Sequence, residues 1–82
     1  MTYQEREISK NQLEKIVKSL DLDEGIRLEN KSNMIFLNKS AKRYCIDTYT
    51  HGNDVFAYCN GPQEVLDFLK DKMDNNCKIF WY

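Results

Sequence analysis

Four short segments in which apolar and polar residues alternate are the feature that most constrains the fold. They read "IRLE", "MIFL", "YCIDTYT" and "DVFAYC", and all lie between positions 26 and 59. Side chains alternate between the two faces of a β-strand, so a period of two predicts half-buried strands. The segments between them, "NKSN", "NKSA" and Gly52-Asn53, are rich in residues that favour tight turns. The pattern therefore predicts a four-stranded antiparallel meander.

A helix is predicted on each side of the meander. Before it, Ser9 and Gln12 have the spacing of a capping box. The apolar residues that follow recur at helical spacing, at Leu13, Ile16, Val17 and Leu20. After the meander, Pro62 suits a first helical position, and Asn75-Asn76 suits a helix end. The stripe of this second helix consists of Val65, Leu66, Leu69 and Met73, with Phe68 at its border.

We therefore predict an α+β fold in a single domain covering residues 1–82. The expected order is an N-terminal helix, the four-stranded meander, and a second helix packed on the same face of the sheet. "CKIFWY", residues 77–82, is expected to form either a short fifth strand or a tail, and residues 1–7 are a candidate disordered segment. A chain of 82 residues buries too little surface for a second core.

The turns determine which side chains share a face of the sheet. With four-residue loops at 30–33 and 38–41 and a two-residue loop at Gly52-Asn53, the three turns assign consistent faces. The inner face, expected beneath the helices, holds Ile26, Leu28, Ile35, Leu37, Tyr44, Ile46, Thr48, Val55, Ala57 and Cys59. The outer face holds Arg27, Glu29, Met34, Phe36, Arg43, Cys45, Asp47, Tyr49, Phe56 and Tyr58.

The same assignment decides whether Cys45 and Cys59 can form a disulfide. In this register Cys45 points outward and Cys59 inward, so they cannot bond. A three-residue loop, as in a bulged hairpin, would bring them opposite each other but would also turn Asp47 into the core. Burial of an unpaired carboxylate is costly, so we favour the two-residue loop and treat Cys59 as a small core residue.

The sequence contains no recognisable catalytic or metal-binding motif, so we expect neither an enzyme nor a cofactor. The three cysteines lack the spacing of zinc sites, and the single histidine, His51, lies at a predicted hairpin tip. Cys45 is six residues from His51 along the same strand, roughly 20 Å, too far for activation by the imidazole. The carboxylates of Asp21, Asp23 and Glu24 are typical of a solvated helix end, and the three glycines are too isolated for a phosphate loop.

The outer face is the candidate functional surface. Its predicted binding residues are Arg27, Phe36, Arg43, Tyr49, Phe56 and Tyr58. Aromatic residues and arginine are enriched in protein interface hot spots, which favours a protein partner. Aromatic sheets with arginine also stack nucleic-acid bases, which is the alternative. A third interpretation is that "KIFWY" or a second copy of the chain, in a homodimer, covers this face.

Charge favours a protein partner over nucleic acid. The chain carries 12 basic and 13 acidic residues, a net charge of −1. Residues 25–60 contain five basic and three acidic side chains, a local balance of only +2. Because phosphate backbones need several cationic contacts for useful affinity at physiological salt, nucleic acid is the weaker hypothesis.

The remaining expectations concern location and origin. No apolar run is long enough to span a bilayer, and the N-terminal segment is too polar for a signal peptide, so we expect a cytoplasmic protein without membrane contact. Nine lysines against three arginines, together with eight asparagines, are typical of AT-rich coding. With the small size, this composition suggests a phage or mobile-element inhibitor or adaptor that acts on a host complex such as a nuclease or defence system.

Overall fold

The computed structural model of the chain describes residues 5–82. In chain order the elements are β1 (Arg6–Ile8), α1 (Lys10–Lys18), β2 (Gly25–Glu29), β3 (Met34–Lys39), β4 (Tyr44–Thr50), β5 (Asn53–Cys59), α2 (Pro62–Lys72) and β6 (Lys78–Trp81). The predicted α+β class is confirmed: two helices and one antiparallel sheet make up the described part of the chain. In the described residues, no helix is long and apolar enough to cross a membrane.

The sheet has six strands in the order β1-β6-β2-β3-β4-β5. The meander β2–β5 follows the prediction, but the strand count of at most five was wrong. The C-terminal segment enters the sheet between β1 and β2, where Ile79 pairs with both Ile8 and Leu28. In the N-terminal segment, Arg6 and Glu7 belong to β1, so they are ordered in the sheet, whereas residues 1–4 lie outside the described residues.

Both helices pack on the inner face of the sheet, but α1 follows strand β1 in the chain, an arrangement that the prediction of an N-terminal helix did not include. The buried residues form one cluster: Leu13, Val17, Leu20, Ile26, Leu28, Ile35, Leu37, Tyr44, Ile46, Cys59, Val65, Leu69 and Ile79. Tyr44 links the layers because its hydroxyl donates to the carbonyl of Val17 in α1, at 3.1 Å. Val55 belongs to the same face, but it lies in the edge strand β5 and is 65% exposed.

The helix ends reflect local hydrogen bonding. Ser9 is the N-cap of α1, and the side chain of Gln12 accepts a hydrogen bond from the Ser9 amide at 3.0 Å, as the capping box predicts. The second helix ends at Lys72, before the predicted Asn75-Asn76. There the Asn30 side-chain amide donates to the Lys72 carbonyl at 2.8 Å, so the end of α2 is attached to the β2–β3 loop.

Two of the three predicted registers were shifted by an even number of residues. The β2–β3 pairing is as predicted, with Leu28 opposite Ile35. The β3–β4 loop is 40–43 instead of 38–41, and the β4–β5 turn is His51-Gly52 instead of Gly52-Asn53. Both turn residues have positive φ, 49° and 85°, as the type I′ turn of a two-residue hairpin requires. Because each shift is even, every residue keeps its predicted face.

Candidate functional site

The outer face of the sheet, opposite the helices, brings most of the predicted binding residues together. One row of paired residues crosses the sheet from β6 to β5, in the order Phe80, Arg27, Phe36, Asp47 and Phe56. The neighbouring rows place Met34 beside Tyr49 and Cys45 beside Tyr58. Both helices contribute to the core on the opposite, inner face.

The aromatic side chains on β4 and β5 are largely accessible. Tyr49 is 42% exposed, Phe56 58% and Tyr58 55%. Phe36 lies on the neighbouring strand β3 and is half-buried. We call Tyr49, Phe56, Tyr58 and Arg43 the aromatic patch. Such a group offers large apolar area on rigid side chains, a chemistry common in the centre of protein interfaces.

Arg43 is positioned by contacts with Ser40 and Tyr58. It lies in the β3–β4 loop, where the amide of Arg43 donates to Ser40 Oγ and the same hydroxyl donates back to the Arg43 carbonyl. Its guanidinium stacks over the Tyr58 ring, 4.3 Å from the ring centroid. The side chain is exposed, so it presents an ordered positive charge at one end of the patch.

Arg27 is held differently and does not join the patch. Its guanidinium donates to the carboxylates of Glu5, at 2.8 Å, and Glu29. It also lies over the Phe80 ring, 4.4 Å from the centroid. These neighbours raise the pKa of Arg27 and lower that of Glu5, mainly through their shared hydrogen bond. Its positive charge is therefore matched within the chain, and only 17% of the side chain is exposed.

Two carboxylates lie among the aromatic residues. Asp47 is paired with Phe56, and Asp54 is paired with Tyr49 in the next row of the same face. Oδ1 of Asp47 is buried and has no hydrogen-bond partner among the described residues. Burial, and then the hydrogen bond and charge of Asp54, raise the pKa of Asp47. The centre of the face is thus acidic, and Arg43 supplies positive charge at its edge.

Two open hollows adjoin the patch. The first, of about 250 Å³, is lined by Tyr49, His51 and the β2–β3 loop. The second, of about 500 Å³, is formed by the β3–β4 loop with Arg43 and Asn60. They lie near opposite ends of β4, so one open hollow adjoins each end of the aromatic patch.

The cysteines form no disulfide with one another. Cys59 is buried on the inner face, and Cys45 lies on the outer face beside Tyr58. Burial raises the pKa of the Cys59 and Cys77 thiols, which lowers the thiolate fraction. Within residues 5–82, no group of three or more His, Cys, Asp or Glu side chains is placed to hold a metal ion.

Some outer-face features had not been predicted from the sequence. Phe80 reaches this face only because β6 inserts beside β2, and Glu5 reaches Arg27 only through β1. The alternation in "KIFW" was a usable signal for β6, but its neighbours in the sheet were not. The contact between Asp54 and Asp47 was missed because the predicted β4–β5 pairing was two residues out of register.

Comparisons with protein-family models, with curated proteins and with solved structures found no match for this chain. Any functional argument therefore depends on the geometry and chemistry of the outer face alone.

Proposed function

We propose that this protein works without catalysis, by binding another protein through its outer sheet face. The observation that carries the proposal is the aromatic patch. Three large aromatic side chains lie together, 42–58% exposed, on the face that neither helix covers. An uncovered aromatic group on a rigid sheet loses little conformational entropy on binding, which favours its use as an interface.

The charges on the face support a protein partner over nucleic acid. Asp47 and Asp54 lie between the aromatic rings, where they would repel a phosphate backbone that followed the patch. Arg27, the second predicted cation, is already paired with Glu5 and Glu29. Arg43 alone of the predicted set offers an unmatched positive charge, fewer than counterion-driven nucleic-acid binding needs. A partner with an apolar centre, and an acidic group opposite Arg43, fits these charges.

The alternative is a weak nucleic-acid-binding module that uses the same face. Arg43 stacked on Tyr58 resembles the cation–aromatic arrangement on which single-stranded bases stack. Fluorescence anisotropy with mixed-sequence single-stranded DNA, RNA and duplex distinguishes the two functions. Micromolar binding that weakens steeply with salt, and that Arg43→Ala and Tyr49→Ala abolish, would replace our proposal by the alternative.

The direct test is partner capture from a lysate of the source cells, comparing the wild-type chain with the double variant Tyr49→Ala, Phe56→Ala. The matched control is Leu22→Ala, since Leu22 is 62% exposed but lies in the turn after α1, away from the outer face. We expect the double variant to lose the proteins that wild type and control retain. Capture of the same proteins by all three chains would exclude the patch as the binding surface.

We propose in addition that the binding has an inhibitory or adaptor role in the cytoplasm. A phage or mobile-element protein acting on a host nuclease or defence complex fits the small size and the lysine- and asparagine-rich composition. The captured partner tests this proposal: a host metabolic enzyme or a structural component would contradict it.

A further inference from the structure

The two edges of the sheet are protected to different degrees. Edge strands expose unpaired backbone groups, and natural proteins commonly protect them by shortness and charge. β1 follows this rule, since it has three residues, of which Arg6 and Glu7 are charged. β5 does not: it has seven residues, "NDVFAYC", and Asp54 is its only charged side chain.

Exposed apolar side chains lie on both faces of β5. Phe56 and Tyr58 project on the outer face, while Val55, at 65% exposure, projects on the helix side. A partner that covers only the outer face leaves the Val55 side chain exposed to solvent. A strand added along the β5 edge covers apolar groups on both faces together.

The hairpin geometry determines which backbone groups face that edge. In a two-residue hairpin the pair flanking the loop, here Thr50 and Asn53, exchanges both backbone hydrogen bonds. Every second residue of β5, starting at Asn53, therefore forms backbone hydrogen bonds with β4. The residues between them, Asp54, Phe56 and Tyr58, direct their N–H and C=O groups to the free edge.

We propose that a second copy of this chain occupies the β5 edge, so that two antiparallel β5 strands join two sheets into one. The two-fold axis passes through the Phe56 pair. Asp54 of each copy then lies opposite Tyr58 of the other, so all three outward-directed residues exchange backbone hydrogen bonds. Sliding the strands by two residues would place Tyr58 opposite Gly52 in one direction and Asp54 opposite Asn60 in the other, and both Gly52 and Asn60 lie outside β5.

Charge complementarity is the reason to prefer a second copy over another strand. Arg43 stacks on the Tyr58 ring, and Tyr58 is the residue that faces Asp54 of the other copy. The axis therefore brings Arg43 of each chain within reach of Asp54 of the other, twice per dimer. Asp54 lies toward the hairpin end of β5 and Arg43 lies beside Tyr58 near its other end, so the antiparallel arrangement places opposite charges together.

The symmetry allows a charge-reversal test by sedimentation equilibrium. We expect wild type to form a species of twice 9.8 kDa, and Asp54→Lys or Arg43→Glu alone to weaken the dimer about tenfold or more. An equimolar mixture of the two variants should recover the dimer, because one natural and one reversed ion pair form in the heterodimer. Circular dichroism checks that both variants fold; both substituted side chains are exposed.

Three results would overturn the inference. These are a monomer at every concentration up to about millimolar, single variants that dimerise as tightly as wild type, and a mixture that remains monomeric. Val55→Lys supplies a variant independent of the outer face. It should dissociate the dimer and retain captured partners, whereas Tyr49→Ala should do the reverse. Failure of this inference is thus distinguishable from failure of the proposed function.

Discussion

Asp47 lies in an environment that disfavours its charged form. It lies between Phe36 and Phe56 in the outer-face row, and Oδ1 has no partner among the described residues. Burial and the nearby Asp54 raise the pKa of the carboxyl. The folded chain therefore holds a proton on Asp47 more tightly than the unfolded chain does. Stability from this group is retained below the ordinary carboxyl pKa, and it falls as pH rises through the raised pKa.

The first prediction is that Asp47→Asn stabilises the protein at pH 7. The amide removes a like-charge contact across two strands, for which the typical gain is about 0.2–1 kcal/mol. The gain should disappear when pH falls below about 3.9, where the unfolded wild-type carboxyl is also protonated. Urea unfolding followed by the fluorescence of Trp81, the single tryptophan, measures the difference.

Asp23→Asn is the control for this prediction, since Asp23 is exposed in the turn after α1 and should change stability little. A destabilised Asp47→Asn variant at pH 7, or a gain that persists at pH 3, would contradict the account of Asp47.

The second prediction concerns the hydrogen bond from Tyr44 to the Val17 carbonyl. Tyr44 is only 4% exposed, so Tyr44→Phe removes a buried hydrogen bond without removing the ring. We expect a loss of about 0.5–1.5 kcal/mol in unfolding free energy. Tyr58→Phe is the matched control, because Tyr58 is 55% exposed, and it should be neutral in chemical denaturation. Equal losses in both variants would show that this bond does not contribute to stability.

At the scale of elements, the C-terminal strand is the most consequential. β6 is paired on both sides, with β1 and β2, and Ile79 is 1% exposed. The strand therefore contributes to the sheet interior although it comes last in the chain. Without β6, β1 has no neighbouring strand in the described sheet. The edge of β2 that pairs with β6 also loses its backbone hydrogen bonds.

The third prediction is that removing residues 79–82 unfolds the protein or causes aggregation. Ile79→Ala should already cost about 2–5 kcal/mol, through a cavity in the core. Far-ultraviolet circular dichroism and light scattering report both results. A truncated chain that stays folded and does not aggregate but loses its partner would assign "IFWY" a docking role instead.

The elements differ in how well the sequence predicts them, for identifiable reasons. α1 and the β2–β3 hairpin are specified by local signals: a capping box with a helical stripe, and a four-residue turn between alternating segments. The position of β6 depends on partners some fifty to seventy residues away, which no local pattern encodes. The short β1 is polar and becomes a strand only because β6 pairs with it.

The sequence predicted which face of the sheet carries the candidate site, but it did not predict how the charges on that face are paired. The two-residue period assigns Tyr49, Phe56 and Tyr58 to one face under any even register shift, so the aromatic patch follows from the sequence. The ion pairs of Arg27 depend on Glu5 in β1, and the contact of Asp47 with Asp54 depends on the true hairpin register. The sequence could therefore identify the surface, but it could not identify which charges on that surface are free.

At the scale of the whole molecule, the two faces of one sheet differ in burial. The inner face, with both helices, contains the buried core. The core cluster contains none of the outer-face aromatic residues, and three of them are largely exposed. This asymmetry leads us to assign binding to the outer face, and a dimer along β5 would join two such faces into one larger surface.

The most direct test of this account is site-specific photo-crosslinking in the source cells, with benzoylphenylalanine in place of Tyr49. Tyr49 lies on β4, which is separated from the free sheet edge by β5. Its adducts therefore report what binds the outer face and not contacts across the proposed β5 dimer. The same probe at Gln63, exposed on α2, is the control. We predict a discrete adduct with a foreign protein from position 49 and none from position 63. Adducts with nucleic acid alone, or the same adducts from both positions, would contradict the assignment of the outer face as a protein-binding surface.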